Sequence, residues 1–205
     1  MPHPAIELIE RRTSVNRFDN SHTLADGQIA DLIRLATRAP TAFNLQNWRF
    51  IAVRTPEAKA RLRKLAYGQV KVSDAAVTFI VCGQSPDYTT VPERLRAIVE
   101  SGHMAAEIAI GWQEAARRKY LGDPGAARDE AIRSASLGAA TLIYAAEAFE
   151  LASGAMGGFD PEAVALEFNL RPDEIPVLLL PVGRIAPGNW PQKARRPITE
   201  VLELI

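Results

Sequence analysis

Near the start of the sequence Arg11, Arg12, Thr13 and Ser14 run together, with Asn16, Arg17 and Phe18 close behind. Two guanidinium groups beside two hydroxyls can hold a phosphate through charge and directed hydrogen bonds. A second basic group, Lys193, Arg195 and Arg196, stands near the other end. If the chain ends meet in the fold, the two groups make one anion site. The plain alternative is that Arg11 and Arg12 are solvated charges at a helix end, where cations suit the dipole.

Three more segments carry side chains that chemistry can use. Pro40, Thr41, Ala42, Asn44 and Gln46 crowd amide and hydroxyl groups between a helix end and Trp48. Asn44 and Gln46 offer the donors and acceptors that read a heterocycle edge; a capped turn anchored by Trp48 is the other reading. In Tyr67-Gly68-Gln69-Val70-Lys71 the lysine either pairs with a surface carboxylate or sets positive charge beside an electron-rich ligand. In Ser153-Gly154-Ala155-Met156-Gly157-Gly158-Phe159 the glycines permit positive φ and a close backbone approach, or serve as a helix C-cap. The spacing is not the dinucleotide fingerprint, and no strand precedes it.

Other chemistries find little support. His3, His22 and His103 are scattered, and Cys82 is the only cysteine, so no metal-ligand spacing appears. There is no nucleophile elbow or Walker loop. Cys82 lies inside an apolar run and reads as a buried strand thiol. A single cysteine excludes an internal disulfide and suits a reducing cytoplasm. Glu147 and Glu150 read as solvated or interface charges. The formal net charge is zero, so nothing global draws the chain to nucleic acid or an anionic membrane. The first residues lead straight into charged helix, which predicts no signal peptide, and no apolar stretch is long enough to span a bilayer.

The elements that must position these residues follow from pattern and caps. At 205 residues the sequence predicts one domain, 1–205, with a sizeable core. A first helix is expected over Pro4 to Arg12. A second, capped by Asp26, carries Ile29, Leu32, Ile33 and Ala36 and ends near Pro40. A strand is expected over Arg49 to Val53, then a helix capped by Thr55 with Pro56 at its first position. Val77 to Cys82 reads as a central strand. Pro92 to Tyr120 reads as helical with His103, Met104 and Trp112 inside, and Gly122 to Gly125 as a loop. The longest helix is expected over Asp129 to Leu151, in the core or at a subunit interface. A glycine-rich turn at Ser153 to Gly158, a helix from Pro161 to Phe168, a strand from Val177 to Val182 and an extended basic tail from Pro187 to Pro197 complete the chain. Apolar strands between helical stretches indicate an α/β or α+β sandwich.

These segments, in this order, resemble the nitroreductase family of FMN-dependent oxidoreductases over nearly the whole chain. Arg12 to Phe18 matches that family's R-[RH]-S-x-[RK]-x-F run without a gap. Ala39 to Trp48 matches its A-P-S-x-x-N-x-Q-P-W stretch, and Lys193 and Arg195 match its K-x-R before a proline. The resemblance implies an α+β fold, a three-layer α/β/α sandwich with a mostly antiparallel central sheet and a C-terminal extension in dimer contacts. It implies FMN, with NADPH or NADH as electron donor and a nitroaromatic, quinone or related acceptor in a ping-pong cycle. It implies a homodimer with FMN at the interface.

By the same resemblance Arg12, Thr13 and Ser14, with Arg11 beside them, fall at the FMN phosphate, completed by Lys193 and Arg195. Asn16 falls where a cation usually approaches the pyrimidine side, which leaves Arg17 or Lys71 to supply charge. Pro40, Thr41, Ala42 and Asn44 fall at the partner subunit's flavin. Gly68, Gln69 and Lys71 match the N-Q-x-K-like segment, and Ala155, Met156, Gly157 and Gly158 fall over one flavin face. Thr13, Asn16, Asn47, Gly68 and Gly157 depart from the family's usual residues. The alternatives are a flavin-binding protein with little turnover, and an enzyme of this fold with another flavin reaction.

Overall fold

The computed structural model describes residues 3–205; Met1 and Pro2, where the leader reading begins, lie outside the described residues. The helices are α1 (Pro4–Arg11), α2 (Asp26–Ala36), α3 (Pro56–Leu65), α4 (Lys71–Asp74), α5 (Val91–Glu100), α6 (Ala106–Tyr120), α7 (Pro124–Ala148) and α8 (Pro161–Glu167). The strands are β1 (Trp48–Val53), β2 (Val77–Gln84), β3 (Ala152–Ser153) and β4 (Glu174–Gly183). They form one sheet in the order β1-β2-β4-β3, every neighbouring pair antiparallel.

β2 is interior, and its continuous apolar run is explained by helices on both faces. Val77, Phe79 and Val81 point to one side, against Leu32 and Ala36 of α2 and Ala135, Ala139, Leu142 and Ala146 of α7. Ile80 and Cys82 point to the other, against Leu62 of α3, Ala66 just after it, Val72 of α4 and Val164 of α8. The period-two alternation thus feeds two cores at once, giving the expected three-layer α+β sandwich. α5 and α6 form a third, smaller core around Leu45, Val91, Leu95 and Ala116.

Caps explain most boundaries. Thr55 caps α3 by accepting from the Ala58 N–H, as expected. Asp26 is not a cap: Ala25 holds that position, Gln28 reaches back to its N–H, and Asp26 instead pairs with Arg54. The longest helix begins at Pro124 rather than Asp129, because Asp123 caps it and Pro124 suits its first position. It ends at Ala148, short of the expected Leu151. The expected helix from Pro92 to Tyr120 is two helices. Gly102, at φ +76, breaks it, so His103 and Met104 lie in the link.

The expected glycine turn after α7 is extended chain instead. Ala152–Ser153 pairs with β4, and Met156 exchanges both backbone hydrogen bonds with Leu179, at 2.9 and 3.0 Å. None of Gly154, Gly157 and Gly158 has positive φ, and Phe149, not a glycine, ends α7. Cys82 is fully buried, and burial first, then Glu174, pushes its thiol up to about 12. Among the described residues no helix is long and apolar enough to cross a membrane.

Candidate functional site

The residues from Arg12 to Phe18 are extended because they are paired on both sides. Val15 N–H donates to Ser153 O at 3.0 Å, and Asp19 N–H donates to Arg184 O at 2.9 Å. Extended chain alternates its side chains. Arg12, Ser14 and Asn16 therefore share one side, with Arg12 Nη1 donating to Ser14 Oγ at 3.4 Å. Thr13 and Val15 take the other and, with Arg11 at the end of α1, line a separate cleft of about 260 Å³ with Glu147, Glu150 and Ile185. Arg11 Nε donates to Glu147 Oε1 at 2.8 Å. Of these four residues Arg12 and Ser14 thus turn toward one side, while Arg11 and Thr13 turn to the separate cleft.

Close approach holds this segment to its neighbour. A Cβ added at Gly154 would lie 2.3 Å from the Val15 carbonyl oxygen. We expect Gly154→Ala to lower the unfolding free energy by about 1–3 kcal/mol, read by urea denaturation. Gly157→Ala, with nothing within 4 Å of the added carbon, is the neutral comparison.

The chain ends do meet. Ala186 N–H donates to Arg17 O at 3.1 Å, extending the ladder that Asp19 and Arg184 begin. Farther along, Gln192 Nε2 donates to Arg12 O at 2.9 Å, and Arg195 Nη2 donates to Gln192 Oε1 at 3.1 Å. The basic tail is thereby laid beside Arg12. Lys71, the first residue of α4, reaches in from below, its Nζ donating to Asn16 Oδ1 at 3.4 Å. Burial, and then the charge of Lys193, hold Lys71 below the usual lysine range. Among the described residues none of Arg12, Arg17, Lys71, Lys193 and Arg195 is ion-paired with a carboxylate.

Gln69 ties the residues before α4 to the segment after β3, its Nε2 donating to Gly158 O at 2.8 Å. Gly157 and Gly158 are exposed there, whereas the Met156 side chain is buried in the core against Leu179. Met156 therefore offers this surface only its backbone.

Pro40, Thr41, Ala42 and Asn44 are elsewhere. Their loop is joined to the Gln84 end of β2, where Asn47 Nδ2 donates to Gln84 O at 2.8 Å. The Arg12–Phe18 segment packs at the Val77 end, with Phe18 against Ala75. Eight residues of β2 separate those ends, roughly 24 Å at the rise of an antiparallel strand. Phe43, Asn44 and Gln46 all have positive φ, at 52°, 53° and 45°. Such a backbone persists where its surroundings over-determine it. Phe43 lies edge-on to Trp112 and Tyr120, each at 6.3 Å, and Asn44 Nδ2 donates to Arg94 O at 3.2 Å.

Fold and site together define an α+β sandwich in which the two chain ends join in a basic cradle. Arg12, Arg17, Lys71, Lys193 and Arg195 have no carboxylate partner there among the described residues, whereas Arg196 pairs with Glu200. The nitroreductase family matches residues 9–184, and the chain belongs to that family of oxidoreductases. It is 28% identical over 197 residues to the Bacillus subtilis protein YodC, whose name describes an NAD(P)H nitroreductase, covering 96% of each chain. It is 28% identical over 198 residues to a Thermus thermophilus protein named NADH dehydrogenase, covering 94% of this chain and 91% of that one. A structure from Exiguobacterium sibiricum, in complex with FMN, superposes with a TM-score of 0.89 at 25% identity, covering 100% of this chain and 99% of that one.

Two contributors to the cradle, Asn189 and Gln192, have no signal in the sequence reading. An asparagine after Pro-Gly reads as a turn residue, and nothing in one sequence shows what its amide meets.

Proposed function

We propose that this protein is an FMN-dependent oxidoreductase that uses NADPH or NADH to reduce a nitroaromatic, a quinone or a related acceptor. The observation that carries the reading is the set of cations that meet without carboxylates. Like charges brought together at a cost in desolvation and repulsion need an anion to balance them. The residues present fit FMN on that ground. Arg12, Ser14, Lys193 and Arg195 would hold its phosphate, as charge-assisted donors do. Asn16 and Lys71 would meet the pyrimidine edge, where Lys71 supplies the cation that Asn16 lacks and Asn16 holds its ammonium. Gln69, Gly157 and Gly158 would border the ring. Arg11, Thr13 and the Met156 side chain are left out of this assignment because they face away.

When bound, FMN would supply the two-electron redox chemistry between the nicotinamide and the acceptor, in ping-pong order. The protein contributes binding, orientation and fixed charge. We propose further that the working unit is a homodimer. Pro40, Thr41, Ala42 and Asn44 stand at the far end of β2 from the basic cradle, so they would serve a flavin held by the other copy.

The test is anaerobic. Protein loaded with FMN should be yellow, bleach on addition of NADPH or NADH, and recover its colour with an acceptor from a nitroaromatic and quinone panel. Apoprotein that takes up no FMN defeats the reading. Bound FMN that neither nicotinamide reduces would make the chain a flavin-holding protein instead.

A further inference from the structure

Most of the tail beyond β4 has no helix or strand of its own, yet it must bring Lys193 and Arg195 to a defined place. One side chain does much of this. Asn189 follows Gly188, which turns the chain at φ +86. Its Oδ1 accepts from the N–H groups of Asn16 and Arg17, at 2.7 and 3.0 Å. Its Nδ2 donates to the carbonyls of Arg17 and Ala186, both at 2.9 Å. A side-chain amide has two donors and an acceptor oxygen with two lone pairs, so all four capacities are used. The amide acts as a last rung on the ladder between residues 16–19 and 184–186, after the tail's own backbone has turned away. Gln192 repeats the device one step on, between Arg12 O and Arg195. Between them Lys193 Nζ rests 5.5 Å from the centre of the Trp190 ring. These contacts work against charge, since the tail carries cations toward Arg12 and Lys71.

We propose that Asn189 is a positioning residue that sets the register of the tail on residues 12–17, and through it the preference for a phosphorylated over an unphosphorylated flavin. This rests on reading the cradle as the FMN phosphate site. Without the Asn189 amide, like-charge repulsion frees the tail, and a phosphate loses Lys193 and Arg195. Gln69, Lys71 and Gly158 belong to other elements and keep their places. Asn16, which loses one backbone hydrogen bond, stays held through Val15 to Ser153 and Arg17 to Ala186 on either side, so the ring side of the site is kept.

The experiment titrates apoprotein with FMN and with riboflavin, which lacks the phosphate, and compares the two dissociation constants. Asn189→Ala is expected to cut the FMN-over-riboflavin ratio by about tenfold or more while riboflavin affinity holds. A parallel loss for both ligands, or an unchanged ratio, overturns the proposal. Should Asn189→Ala not fold, Asn189→Ser, whose shorter side chain can keep at most part of the four hydrogen bonds, should lower the same ratio by about threefold; an unchanged ratio there overturns it too. Failure of the underlying reading looks different: wild-type protein would then bind FMN no better than riboflavin.

Discussion

Arg12→Ala is expected to weaken FMN binding by about 1.5–3 kcal/mol, a roughly 10- to 150-fold rise in Kd. Arg12 is half-buried as a residue, its guanidinium donates to Ser14, and it has no carboxylate partner among the described residues. Its loss removes a charge-assisted donor from a phosphate that has few competing partners. The tail should survive the change, because Gln192 grips the Arg12 carbonyl, which alanine retains. Arg195→Ala should show a loss of the same kind. Arg11→Ala is the contrast: that side chain is turned to Glu147, and FMN affinity should hold. Fluorescence titration at one fixed salt concentration measures all three, and unchanged affinity in both Arg12→Ala and Arg195→Ala would reject the shared phosphate site.

The second large effect concerns stability. Glu174 opens β4 with its side chain fully buried, and its carboxylate is saturated. Oε2 accepts from Arg49 Nη1 and the Arg171 N–H, each at 2.9 Å. Oε1 accepts from Arg171 Nε and Nη2, at 2.9 and 2.6 Å. Burial alone would raise its pKa; the hydrogen bonds from Arg171 and Arg49 outweigh it and hold the group below the usual carboxylate range. Glu174→Ala should destabilise the fold by about 3 kcal/mol in urea denaturation. That is the low end for a broken buried pair, because both arginines are partly exposed and regain water.

The sign of the pH dependence follows. A group with a depressed folded pKa stabilises fully above its unfolded value and progressively less as pH falls through the folded one. Wild-type stability should therefore fall as acid is added below 4.5, the ordinary glutamate value, and Glu174→Gln should fall less steeply over the same range. Equal slopes would mean that Glu174 does not carry the acid sensitivity.

The parts legible in the sequence were those set by local rules. The continuous apolar strand from Val77 to Cys82, the Thr55 cap with Pro56, and the basic groups at both ends all reappear in the structure. Boundaries were misread where one cue had two meanings. Gly-Asp-Pro-Gly looked like a loop, yet Asp-Pro within it starts α7. Gly102 falls inside the helix expected from Pro92 to Tyr120, yet it lies just past the end of α5, where the chain turns before α6. Which way each site residue turns is tertiary. Arg11 and Arg12 are adjacent in sequence, but Arg11 ends α1 and reaches Glu147, while Arg12 opens the extended run that pairs with Ser153. Asn189 lay beyond reach, since three of its four hydrogen bonds go to Asn16 and Arg17, more than 170 residues away.

The placement of the two groups of site residues at opposite ends of β2 has a genetic consequence. In the homodimer proposed above, each flavin is served by the basic cradle of one copy and the Pro40–Asn44 loop of the other. A subunit damaged only in the cradle and a subunit damaged only in the loop would then combine into a mixed pair. One of its sites would carry both defects, and the other would be wholly intact. Two inactive alleles would complement each other, restoring about half the sites of the mixed pair.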